Sequence, residues 1–164
     1  IFELDLDDPI HSPFCHKYLA FWNEMERVCK GMTYEGRPVR LEPALRELDF
    51  GHWEGVAWTA VPRREWQPWA ADWVHTATPG GESLEQLARR CATCLRGLLW
   101  RYRACPRLII ITHAGVIRSL YAHLTDTPLE RVWDLHVPLG GICRLRRVAP
   151  AWQLRQFALR ESLD

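Results

Sequence analysis

The junction at His113 is the first place in this sequence where chemistry can reside. Leu108, Ile109, Ile110 and Ile111 form an apolar run, and Thr112 and His113 follow it. From Val116 onward, Val116, Ile117, Leu120, Tyr121 and Leu124 recur at helical spacing. The run reads as a strand buried on both faces, as parallel sheets require, with Ala114 and Gly115 opening a helix after it. An imidazole there faces any anion drawn to the free N–H groups of the helix start. The position suits equally a histidine that caps the helix or hydrogen-bonds in the core, and the residues alone leave both readings open. A carboxyl for acid chemistry is offered by Glu47, in the aperiodic stretch 45–55. Taken alone, Glu47 reads as a surface ion-pair partner of the adjacent Arg46.

These residues need elements to hold them. A helix is expected from Phe14 to about Val28, after Pro13, and a short strand over 38–41. The stretch 45–55 has neither helical nor strand period and is expected to be an irregular, partly buried loop. Trp58, Trp66, Trp69 and Trp73 fall on a segment cut by Pro62 and Pro68, which reads as a helical flap packed by large rings with the prolines near helix starts. The residues 78–83 are a turn signal, and Ser83 with Gln86 forms a capping box opening a helix from Leu84 to about Tyr102. Gly80, Gly81 and Glu82 serve equally as a binding loop. Pro128 starts a further helix, and the alternating stretches 142–148 and 152–157 read as a hairpin at a sheet edge. Strands alternating with helices predict an α/β sandwich.

The chain has 164 residues, which suits a single domain over 1–164. Its net charge of +1 and the lack of any long run of like charge argue against nucleic acid and anionic membrane as partners. No apolar run approaches the length of a membrane span, and the acidic opening residues differ from a signal peptide, so a cytoplasmic location is expected. Six scattered cysteines suggest reduced thiols; Cys91 and Cys94, the only C-x-x-C, lie within a helical pattern and favour neither zinc nor redox chemistry. His113, His123 and His136 lack the spacing of metal ligands.

Three motifs in order carry a resemblance: L-R-E-L-D-F-G-H-W-E-G at 45–55, P-G-G-E-S at 79–83 and I-T-H-A-G-V-I-R at 111–118. Together they resemble the histidine phosphatase superfamily, the phosphoglycerate mutase-like group, and most closely its alpha-ribazole phosphatase branch. The resemblance implies a three-layer α/β sandwich, with a mostly parallel central sheet flanked by helices and its first strand lacking or altered. It also implies a phosphomonoester hydrolase acting on a small phosphorylated substrate, with no metal and no cofactor, and leaves a homodimer open. By resemblance, His113 donates to the phosphoryl oxygens beside Ala114 and Gly115, and Glu47 protonates the leaving oxygen. Its apolar neighbours Leu45, Leu48 and Phe50 suit a carboxyl that must start neutral. Trp53, Glu82 and Ser83 are expected to line the substrate.

The departures fall on the other half of the family site. The nucleophilic histidine of that family sits in an R-H-G tripeptide, which is absent from this sequence. Where its S-P-x-x-R arginine belongs, Ser12 and Pro13 lead to His16, which then stands as the expected phosphate ligand. Two expectations follow. Either residue 1 falls partway into a longer phosphatase, or the chain is a degenerate relative that binds without turnover.

Overall fold

The computed structural model describes residues 33–34, 37–38, 40–104, 108–138, 141–148 and 151–158. The expected helix at 14–28, together with His11 and His16, lies outside the described residues.

The longest element among the described residues is the helix α2, Leu84–Arg101; α1 is Arg63–Ala71 and α3 is Ala114–Thr125. Ser83 opens α2 as the sequence predicts: its hydroxyl accepts the Gln86 N–H at 3.2 Å, and the Gln86 side chain accepts the Ser83 N–H at 2.8 Å. The reciprocal cap satisfies two donors that a helix start otherwise leaves open. From there Leu84, Leu87, Cys91, Leu95 and Leu98 recur every three or four residues and form one buried stripe. Val116 and Leu120 of α3 and Leu45 from the loop pack with that stripe. Full burial of each large apolar side chain contributes about 1.5–3 kcal/mol, so this two-helix contact is the main apolar anchor of the region.

Val132 closes the far side of α3 from a 3₁₀ turn, Leu129–Asp134, after Pro128. Pro128 does begin a helical segment, as expected, but one of the tighter kind. Pro62 precedes α1, whereas Pro68 lies inside it rather than near a start. Lacking an N–H, Pro68 forfeits one bond of the ladder, in keeping with so short a helix.

Strands β1 (Thr33–Tyr34) and β2 (Arg37–Pro38) pair antiparallel, as do β3 (Ile142–Val148) and β4 (Ala151–Ala158). The second pair is the expected hairpin, with an irregularity between Arg144 and Leu145. Both sheets among the described residues are two-stranded and antiparallel, and the strand expected at 108–111 is a correction. Residues 108–111 form no strand there, and Ile109 and Ile111 are 65% and 89% exposed. A run apolar on both faces specifies what a strand would need, namely cover above and below and a partner on each edge; the described residues cover only the face of Ile110, which packs on the core, and supply no edge partner. No helix among them is long and apolar enough to cross a membrane.

Candidate active site

The stretch 43–55 has two 3₁₀ turns, Pro43–Leu45 and Gly51–Trp53, on either side of an irregular segment. With few bonds of its own, it is held from outside. On one side lies the turn 78–81, where the Gly81 N–H donates to Thr78 O at 2.9 Å, with Pro79 second and Gly80 third at φ +75°. These are the requirements of a type II turn, and the positive φ explains the glycine. The turn and the loop exchange bonds: His52 N–H to Pro79 O (2.8 Å) and Glu82 N–H to Asp49 O (2.9 Å). Gly51, at φ +55°, comes so close that a Cβ would overlap Pro79 O and the Gly81 nitrogen.

On the second side stands α3. The Thr112 hydroxyl donates to Leu45 O at 2.7 Å, and the Gly115 N–H donates to Glu47 Oε2 at 3.1 Å. Glu47 Oε1 accepts the N–H of Leu48 at 2.9 Å. The carboxyl therefore lies against the start of α3, close enough that a Cβ on Gly115 would run into Glu47 Oε1. Glu47 does not pair with Arg46, whose ion pair is with Asp49 at 3.9 Å. Glu47 and His113, 66 positions apart in sequence, thus meet at one place.

His113 takes the N-cap position of α3, with extended backbone at φ −106° and ψ 168°, but its ring makes no cap bond. The helix-cap reading of this histidine is therefore set aside. Burial lowers its pKa from the ordinary 6.5, and the Glu47 charge opposes that shift. Arg118, one turn further along α3, is likewise lowered by burial and raised by Glu47. Its Nε–H donates to Leu135 O at 3.1 Å, and its guanidinium stacks 4.3 Å from the Trp133 ring centre. A carboxyl, an imidazole and a fixed guanidinium share one electrostatic neighbourhood.

The remaining expected site residues divide. Gly115 is present, but its N–H is taken by Glu47 rather than offered to phosphate, because the chain's own carboxylate is the anion that reaches this helix start. Ser83 is buried and occupied by its cap. Glu82 is bound to Arg90, with Nη2 to Oε1 at 2.6 Å and Nε to Oε2 at 3.0 Å. Trp53 is only 5% exposed, its indole N–H donating to Glu65 Oε2 at 3.1 Å. A ring so enclosed supports other rings rather than touching a ligand. Trp58, 55% exposed and edge-on to both Phe50 and Trp53, presents the open aromatic surface of that cluster. Arg90 and Arg118 were not anticipated as site residues. Arg118 ends the motif at 111–118, whereas the partners of Arg90 lie mostly in main chain more than 40 residues away, which no spacing betrays.

A family model described as the histidine phosphatase superfamily (branch 1) matches residues 25–160. The chain belongs to this superfamily. Its member in hand is 29% identical over 135 residues to an adenosylcobalamin/alpha-ribazole phosphatase of Salmonella typhimurium, a match covering 79% of this chain and 66% of that relative. It is also 30% identical over 88 residues to a metal-independent phosphoserine phosphatase of Arabidopsis thaliana, covering 51% of this chain and 37% of the relative. Among solved structures it resembles the alpha-ribazole phosphatase from Shigella flexneri, with a TM-score of 0.68, 25% identity, and coverage of 76% of this chain and 63% of that one. That overlay places the fold in the phosphoglycerate mutase-like α/β class. This superfamily chain spans just under two thirds of the length of the Salmonella relative.

Proposed function

We propose that this chain is a phosphomonoester hydrolase of the histidine phosphatase type, with Glu47 as the acid for the leaving oxygen and His113 as a donor to the phosphoryl oxygens. The observation that carries this reading is the 3.1 Å bond from the Gly115 N–H to Glu47 Oε2, which sets the carboxyl beside His113. Phosphoryl transfer asks the protein mainly for position and charge. An imidazole and the N–H of Ala114 face the phosphoryl group, and His113 becomes a stronger donor when an incoming dianion draws a proton onto it. Water takes the phosphoryl group as the ester P–O bond breaks, and Glu47, protonated, gives its proton to the departing alkoxide. Arg118 adds positive potential near the phosphate.

The relatives' names and the form of the motif at 45–55 favour alpha-ribazole 5'-phosphate as substrate, and hence a role in cobalamin assembly; the exposed face of Trp58 suits a flat base on the alcohol. The name of the Arabidopsis relative makes phosphoserine the first competitor. The free cysteines Cys91, Cys94 and Cys143 fit the cytoplasm.

A second reading, phosphate binding without turnover, is favoured by one observation: R-H-G does not occur in the sequence. Phosphate release from p-nitrophenyl phosphate and from a ribonucleoside 5'-phosphate separates the two. Turnover of the ribonucleoside 5'-phosphate that falls in both Glu47→Gln and His113→Ala, with turnover of p-nitrophenyl phosphate falling mainly in His113→Ala, supports hydrolysis. Phosphate binding with no turnover supports the second reading, and absence of both rejects each.

A further inference from the structure

We propose that Arg90, held by Glu82, is the positioning residue for the Glu47 carboxyl; the inference rests on the hydrolytic reading above. A guanidinium has five N–H donors in a rigid plane. In Arg90 all five are spent on protein: Nε on Glu82, Nη1 on Ala44 O (2.7 Å) and Arg46 O (2.9 Å), Nη2 on Glu47 O (2.8 Å) and Glu82 Oε1 (2.6 Å). Glu82 Oε1 also accepts the Asp49 N–H at 3.1 Å. The main chain on both sides of Glu47 is thus pinned to one ion pair, whose side chains are only 21% and 16% exposed. That pair stands at the start of α2, an 18-residue helix.

The arrangement has a purpose that stability alone does not explain. Residues 46–50 have no regular hydrogen-bond ladder to fix them. A carboxyl that must deliver a proton to one oxygen loses about a hundredfold in rate when displaced by about 1 Å. With every donor engaged, Arg90 has none to offer a substrate, so it acts through Glu47. Lysine keeps the charge but presents its donors from a single point, and so does not reach three carbonyls and a carboxylate together.

The test is Arg90→Lys, read with two esters and three backbone amides. An alkyl phosphate such as glycerol phosphate needs its leaving oxygen protonated, whereas p-nitrophenoxide departs readily as an anion. The expected result is a fall in kcat of about tenfold or more on glycerol phosphate, and of less than about threefold on p-nitrophenyl phosphate, with KM little changed. Hydrogen exchange at the Gly115 amide should quicken, while the Leu95 and Leu98 amides inside α2 exchange as before. Equal losses on both esters, or unaltered exchange at Gly115, overturn the proposal. If the unsubstituted protein cleaves neither ester, the hydrolytic reading fails, and Gly115 exchange alone still decides whether Arg90 places the carboxyl. Should Arg90→Lys not fold, Glu82→Gln, which keeps the shape and loses the charge, is read the same way, with a smaller change expected in each measurement.

Discussion

Replacing Gly115 with alanine separates the stability of this site from its chemistry. Gly115 is the second residue of α3, and alanine there gains about 0.5–1 kcal/mol of helix propensity. The new methyl would sit on Glu47 Oε1, 3.1 Å from Glu47 Cδ and 3.3 Å from Leu87 Cδ2. Leu87 is fully buried and has no room to retreat. The Glu47 oxygen is the end of a flexible side chain on a half-buried loop, so the carboxyl is what gives way. Its bond to the Gly115 N–H is then lost, at about 1.5–3 kcal/mol for a bond to a charged group. The net is a destabilisation of about 0.5–2.5 kcal/mol, or a Tm lower by about 1–10 °C in a domain of this size. Activity has no such offset, because a displaced acid forfeits most of its contribution, typically about 100-fold or more. Thermal unfolding followed by circular dichroism, beside phosphate release from an alkyl phosphate, measures both. A raised Tm with activity intact would show that the Glu47 carboxyl does not lie over Gly115, and the reasoning would fail.

Further expectations follow from the same geometry. Gly51→Ala meets backbone rather than a side-chain tip, at a positive φ, and should cost about 2–4 kcal/mol in denaturant unfolding; a cost below about 1 kcal/mol would contradict the close approach of 51 to 79–81. Trp53→Ala should lower stability by about 3–5 kcal/mol because the ring is enclosed, whereas a substrate-contact role would raise KM and leave unfolding alone. His113 has its pKa lowered chiefly by burial, so its contribution to stability is whole above 6.5 and is lost as pH falls through the lowered value. A Tm-against-pH profile should therefore show an acid limb that flattens in His113→Gln. Inorganic phosphate should bind more tightly as pH falls over the same range, since the protonated ring favours the anion; titration calorimetry at several pH values checks this.

The helix α2 was legible because its signals are local: the capping box fixes its first residue, and the apolar period fixes its buried face. The turn at 78–81 was legible for the same reason, since Pro-Gly in second and third place demands one conformation. The hairpin β3–β4 followed from alternation. Residues 108–111 were misjudged because an apolar run states a need for cover, which only the rest of the fold can meet. Gly115 was judged half correctly: helix starts do attract anions, and here the anion is Glu47. Arg90 stayed hidden because its partners are carbonyl oxygens, which every residue has and no sequence distinguishes. Cys91 sits fully buried, its thiol pushed up to about 12 by burial, which agrees with the expectation that the C-x-x-C is not a reactive pair.

The central claim is that Glu47 and His113 act at one site, and the titration of His113 tests it without requiring turnover. Its imidazole resonances, followed by NMR against pH in the unsubstituted protein and in Glu47→Gln, give the two midpoints to compare. A shared site predicts a midpoint below 6.5 that drops further once the Glu47 charge is gone, since that charge holds the value up. A midpoint that stays where it was in Glu47→Gln would place the carboxyl out of reach of the ring and contradict the claim.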